Sequence, residues 1–137
     1  MRINKSDYYL NIAREVAQRS TCLRRKYGAV IVKNDSIVAT GYNGSPRGEV
    51  NCCDVGTCER ERLQIKPGER YELCKSVHAE MNACLHAGRD RAMGGTLYLI
   101  GIDGKTGQTI AGEPCMMCAR ILKQCGIERV VTIQKED

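Results

Sequence analysis

His78 and Glu80, two residues apart, and Cys115 and Cys118, three apart after Pro114, are the residues of this chain best suited to chemistry. One imidazole and two thiols supply three ligands for a zinc ion. A tetrahedral zinc then keeps its fourth position for water, whereas a structural zinc site closes with four protein ligands. Two thiolates offset the charge of the dication, and neutral His78 adds a nitrogen ligand without charge. Zinc lowers the pKa of a bound water to about 7. Glu80 sits beside the metal in sequence without being needed as a ligand, so it is placed to move protons. The set fits metal-assisted hydrolysis. A small structural zinc module that recruits a fourth cysteine would use the same ligands but would leave Glu80 without a role.

These residues need elements to bring them together. Ser6 is an N-cap candidate, and the spacing predicts a first helix from about Asp7 to Gln18, with Tyr9, Ala13, Val16 and Ala17 on its inner face. Two β-branched runs, Gly28–Lys33 and Ile37–Tyr42, flank an Asn34-Asp35 turn and read as a hairpin. A helix over Val77–Ala87 opens near His78 and stops at Gly88, with Val77, Met81, Cys84 and Leu85 as its packing face. Thr96–Ile100 reads as a buried strand, and Asp103–Gly107 as a turn. Cys115–Gln124 reads as a helix after Pro114, and Arg129–Ile133 as the last strand. Both halves of the zinc set thus fall at helix starts, and one helical turn brings Cys115 and Cys118 to one side. Asn43 to about Leu73 is irregular, and a plain loop of that length needs short helices, a metal or a partner to order it. The order αββαβαβ fits one α/β layered domain over residues 1–137.

Composition narrows the function further. The chain has 137 residues, 42% of them hydrophobic, which suits one globular domain. No apolar run approaches the ~18 residues of a membrane span. The polar start Met1–Asp7 lacks a secretory apolar stretch, so a cytoplasmic location is expected. Nine cysteines could suggest a disulfide scaffold, but the number is odd and two of them form C-x-x-C beside a proline, a pattern of metal binding or catalysis. A net charge of +5 could serve a nucleic acid or a phosphorylated small molecule. With no Trp, no Phe and only six Tyr to stack on bases, the small molecule is favoured, and neither a nucleic-acid nor a membrane partner is expected.

The motifs Tyr27-Gly28-Ala29-Val30-Ile31-Val32, Gly41-Tyr42-Asn43-Gly44-Ser45-Pro46, Asn51-Cys52-Cys53-Asp54, His78-Ala79-Glu80-Met81-Asn82-Ala83 and Pro114-Cys115-Met116-Met117-Cys118 span most of the chain. The zinc motifs resemble those of the zinc nucleobase deaminases. Together with the Gly-Tyr-Asn-Gly-x-Pro and Asn-Cys-Cys-Asp segments, they resemble the deoxycytidylate (dCMP) deaminases of the cytidine/deoxycytidylate deaminase superfamily. The resemblance implies a three-layer αβα fold around a mixed sheet of four to five strands. It implies zinc-dependent conversion of dCMP to dUMP with release of ammonia, feeding thymidylate synthesis. His78, Cys115 and Cys118 would hold the zinc, and Glu80 would be the general acid/base. Asn43 would contact the substrate sugar and the Ala79 backbone the pyrimidine. Tyr42, Asn43 and Gly44 would help form an effector site at a subunit interface, activated by dCTP and inhibited by dTTP, in a homo-oligomer, often a hexamer. A second, structural zinc is implied near Cys22 and Cys52, and Cys58 and Cys74 could complete a four-sulfur site. The family core has five strands, of which four are legible, and Gly101–Glu113 is a longer lead-in to the proline than many members have.

A monophosphate needs a cationic anchor, and Arg24 and Lys26 are the candidates, with Arg25, Arg47 and Arg120 near other site segments. Arg60 and Arg62 alternate with Glu59 and Glu61 and read as a solvated face. Cys84 and Cys125 read as core, and His86 as a surface or capping residue. Two rival readings remain at this level. One is a deaminase of cytidine or of adenosine in a tRNA, and the other is a non-catalytic zinc-binding module.

Overall fold

The computed structural model describes residues 1–66 and 74–133. Ten elements follow in order: α1 (Lys5–Ala17), β1 (Arg25–Lys33), β2 (Ser36–Tyr42), α2 (Cys52–Val55), α3 (Glu59–Arg62), α4 (Ala79–Ala92), β3 (Thr96–Asp103), β4 (Thr109–Ala111), α5 (Met116–Gln124) and β5 (Arg129–Val131). β1 and β2 form the expected hairpin. Its turn residues Asn34 and Asp35 both have positive φ (52° and 58°), which suits the right-handed twist of a two-residue hairpin.

The sheet runs β2-β1-β3, antiparallel throughout. The far edge of β3 is shared: β5 pairs in parallel with Thr96–Tyr98, and β4 pairs antiparallel with Ile100–Ile102. β4 is the fifth strand that the sequence pattern hid. At three residues it is too short to show a period, and it lies inside the lead-in segment.

Strand alternation sends one set of side chains to each face. Ala29, Ile31, Leu97 and Leu99 join Ala79, Ala83, Cys84 and Ala87 of α4 and Leu122 of α5 in one core. Val30, Val32, Tyr98 and Ile100 join Tyr9, Leu10 and Ala13 of α1 in the other. The sheet is therefore covered on both faces, and its central strands read as continuous apolar runs. Helix–sheet contact is close because two glycines permit it. A Cβ on Gly28 would fall 2.6 Å from Ala17 N, and one on Gly41 would fall 2.5 Å from the Ala79 carbonyl oxygen.

Some boundaries differ from expectation. Asn4, not Ser6, caps α1, its side chain accepting from Asp7 N at 2.9 Å. Gly88 breaks the helical geometry of α4 (φ 73°, ψ 160°), but a further turn continues to Ala92. Leu85 is 74% exposed rather than packed, because the inner face of α4 is a row of small residues, Ala79, Ala83 and Ala87. The irregular segment after Asn43 contains two short helices, α2 and α3; residues 67–73 lie outside the described part. No described helix is long and apolar enough to cross a membrane.

Candidate active site

Two helix starts meet beyond one end of the sheet. His78 is the N-cap of α4 and Cys115 the N-cap of α5, both in extended backbone. Cys115 Sγ accepts from Cys118 N at 3.4 Å, so a metal-ligating sulfur also caps its own helix. His78 Nδ1 lies 3.1 Å from Cys118 Sγ and 3.7 Å from Cys115 Sγ. Tetrahedral zinc with these ligands sets donor separations of roughly 3.5–3.8 Å, so the trio fits the ion in donor type, with the Cys115 separation inside that range and the Cys118 one a few tenths of an ångström shorter. Among the described residues, these three are the group whose ligand atoms all lie within 4.8 Å of one another.

Burial, then the Glu80 carboxylate, pushes the Cys118 thiol well above its ordinary range. A neutral thiol buried beside a carboxylate is a poor arrangement by itself. A dication among the three donors reverses it, because metal binding deprotonates coordinating thiols. Glu80, in the first turn of α4, is 5% exposed. The helix N-terminus favours its negative charge.

The trio opens on a cavity of about 320 Å³, within the ~300–1,000 Å³ of small-molecule sites. Its lining includes His78, Ala79, Glu80, Cys115 and Met117 together with Arg24, Asn43 and Arg60. A two-way backbone bridge, Gly44 N to Val77 O at 3.1 Å and Val77 N to Gly44 O at 2.7 Å, ties the segment after β2 to the residue before His78. That bridge places Asn43 at the site. Asn43 is buried, and its amide is held firmly: Oδ1 accepts from Ser20 Oγ at 2.6 Å and from Tyr27 N at 2.8 Å, while Nδ2 donates to Arg25 O at 2.9 Å. Gly44 is buried against Thr21, and Tyr42 stands outside the cavity, partly exposed.

Of the two expected phosphate anchors, the structure brings one to the cavity. Arg24 lines it and pairs with Glu61 at 3.1 Å. Lys26 does not line it, because along β1 Arg25 and Tyr27 take the cavity side and alternation turns Lys26 to the other. The solvated-face reading of Arg60 is also corrected. Arg60 is 3% exposed, lines the cavity and donates through Nη2 to Lys66 O at 3.0 Å. Alternating charge suggested water on all sides; a four-residue helix folded against the cavity put one of the charges inside. The signal that sequence reading could have used is weak: an arginine two residues after Cys58, cysteine being a residue type usually found buried.

Cys22, Cys58 and Cys74 line the same cavity. Burial, then the neighbouring thiols of Cys22, Cys58, Cys74 and Cys53, raises the Cys52 thiol above its ordinary value. The four cysteines therefore gather in one region, although their sulfurs do not reach the mutual ligand spacing of the His78 trio. Burial and the adjacent Cys125 push the Cys84 thiol up to about 12, as expected for core. His86 points away from the site, its Nδ1 donating to Thr40 O at 2.6 Å.

Residues 3–134 match the family model for the cytidine and deoxycytidylate deaminase zinc-binding region. A protein of Mycobacterium phage D29 named deoxycytidylate deaminase is 40% identical over 130 residues, covering 91% of each chain. The deoxycytidylate deaminase of Schizosaccharomyces pombe is 37% identical over 124 residues, which are 90% of this chain but only 35% of the yeast protein. The crystal structure of a dCMP deaminase from the cyanophage S-TIM5, in complex with dCMP and dUMP, superposes with a TM-score of 0.68 at 29% identity, covering 95% of this chain and 81% of that one.

Proposed function

The chain belongs to the cytidine and deoxycytidylate deaminase family, and from that membership we propose that it is a zinc-dependent hydrolase converting dCMP and water to dUMP and ammonia. The observation that carries this reading is the His78–Cys115–Cys118 trio opening, beside buried Glu80, on a cavity of nucleotide size. The product feeds thymidylate synthesis.

His78 Nδ1 and the Cys115 and Cys118 sulfurs would hold the zinc, which when bound supplies a Lewis acid and an activated water. Glu80 moves the protons. It delivers one to N3 of the cytosine ring as C4 becomes tetrahedral, and one to the amine as the C4–N bond breaks. Its burial keeps this transfer out of bulk water. The Ala79 backbone, at the start of α4, faces the pyrimidine. Asn43 orients the sugar with the N–H of Nδ2 that its bond to Arg25 O does not use; its three internal bonds hold that donor in place. Arg24 adds positive charge at the cavity wall.

Three further readings rest on the family likeness. The chain acts as one domain in the cytoplasm, where its nine free cysteines stay reduced. It assembles as a homo-oligomer, in the family's manner a hexamer, with dCTP activating and dTTP inhibiting through Tyr42, Asn43 and Gly44. Cys22, Cys52, Cys58 and Cys74 hold a second, structural zinc, supported by their common region and by the crowding of thiols around Cys52.

The test is ammonia release from dCMP, CMP, deoxycytidine and dCTP by the zinc-loaded protein, with and without dCTP and dTTP as effectors. Turnover of dCMP that vanishes in Glu80→Gln supports the reading; silence on all four substrates from folded, zinc-bearing protein refutes it. Metal analysis decides the second zinc, since two ions per chain should fall to one in Cys52→Ala together with Cys58→Ala.

A further inference from the structure

The sugar contact of Asn43 depends on which way its amide faces, since the oxygen and nitrogen ends exchange places by a half-turn about χ2. Three neighbours set the direction. Ser20 Oγ donates to Oδ1 at 2.6 Å, Tyr27 N donates to Oδ1 at 2.8 Å, and Nδ2 donates to Arg25 O at 2.9 Å. Both lone pairs of the oxygen and one N–H of the nitrogen are thus used inside the protein, and one N–H remains for a ligand in the cavity that Asn43 lines. Two of these neighbours are backbone groups of β1; Ser20 is the one side chain. It follows the end of α1, its N–H bonding Ala17 O at 3.0 Å, and it is buried but does not line the cavity. Its hydroxyl accepts from Cys22 N at 3.2 Å, and its single proton goes to Asn43. The segment is held from both sides, Thr21 Oγ1 accepting from Ser45 N at 3.4 Å and Thr21 O from Cys53 N at 3.1 Å.

We propose that Ser20 is a positioning residue: from behind the cavity wall it locks the Asn43 amide and so sets the contact to the substrate sugar, without touching substrate itself. Turning the amide over would face Nδ2 to the Tyr27 N–H and Oδ1 to the Arg25 carbonyl, and would leave the Ser20 proton without an acceptor, all in a buried place where unmet polar groups are costly. The two backbone bonds fix which end of the amide is which. The hydroxyl takes the second lone pair and pins the amide plane between the end of α1 and β1. An oxygen that accepts twice also polarises the amide, which strengthens the remaining N–H as a donor. A deoxyribose phosphorylated at its 5′ position offers that N–H one hydroxyl, at C3′. Sugar orientation would thus reach back to the end of α1, an element that contributes nothing to the metal ligands.

This inference rests on the deaminase reading with Asn43 at the sugar, and the experiment separates the three. The zinc-loaded wild type, Ser20→Ala, Asn43→Ala and the double variant are assayed on dCMP and on its analogue lacking the 3′-hydroxyl, with zinc content measured on each. Wild type that turns over neither substrate sinks the deaminase reading itself. Asn43→Ala that keeps full activity on dCMP removes the sugar contact, and the proposal with it, while leaving the deaminase reading intact. The expected result for Ser20→Ala is a fall of about 5–30-fold in kcat/KM for dCMP, with the analogue within about twofold of wild type and zinc retained. In the Asn43→Ala background, Ser20→Ala should cost less than about twofold more, because the two residues act as one unit. Equal losses on both substrates, or fully additive losses in the double variant, would make Ser20 merely structural and overturn the proposal. Where the analogue is too slow to follow, the double variant on dCMP decides. Should Ser20→Ala fail to fold, Ser20→Cys, which keeps the volume but is a weak donor, is read in the same way.

Discussion

Glu80 and its three neighbours concentrate the chemistry into four side chains. The carboxylate is buried beside Cys118 but outside the ligand trio, so removing its charge should spare the metal. Glu80→Gln is expected to keep its zinc and to lose at least ~100-fold in deamination rate, which metal analysis and ammonia release check together. Cys118→Ser attacks the other half of the site. The thiol is fully buried, and the variant should lose zinc and activity in parallel. These residues were legible in the sequence because H-x-E and C-x-x-C are local patterns. The same kind of reading misplaced Lys26 and Arg60. Whether a charged side chain faces a cavity depends on strand alternation and on how a short helix docks, and neither follows from the charge itself.

At the scale of elements, α4 does two jobs. Its inner row of alanines presses on β2 at Gly41, and this seats His78 and Glu80 at the site. Gly41→Ala should clash with the Ala79 carbonyl and the Ala83 amide and cost about 1–3 kcal/mol, with reduced activity, visible as a lower melting temperature. Its flank caps the sheet edge: Asn82, His86 and Arg91 donate to the carbonyls of Tyr42, Thr40 and Val38 along β2. His86→Ala should lower stability by about 0.5–1.5 kcal/mol and leave kcat unchanged. The β3–β4 turn carries a pH signature. Hydrogen bonds from the backbone N–H groups of Thr106 and then Lys105 hold the Asp103 carboxyl below the usual carboxylate range. A depressed folded pKa gives stability that is present above the unfolded value of about 3.9 and is lost as pH falls through the folded one. The melting-temperature gap between wild type and Asp103→Asn should therefore be widest at neutral pH and close as the pH falls through the folded value.

For the whole molecule, the site exists only where separate parts of the chain converge: the segment after β2, the α2–α3 region, and the starts of α4 and α5. Zinc would bind the folded arrangement far better than the unfolded chain, so it links these parts. Removing it with a chelator should lower the melting temperature and abolish activity, and re-adding zinc should restore both. A chelated protein that melts unchanged would show that the metal adds nothing to the fold.

The sequence by itself determined the chemistry and the layer order. Ligand spacing, the cap positions and the apolar runs are local properties, and each is written within a few neighbouring residues. It also announced the hairpin through Asn34-Asp35. The tertiary structure alone decided which side chains share the cavity. β4 needed the waiting edge of β3, because three residues carry no period of their own. Leu85 lost its place in the core to a smaller row of alanines, because α4 lies too close to the sheet for a leucine there. Arg60 moved from an expected solvent face to a buried wall, because packing between distant segments, not local polarity, sets exposure.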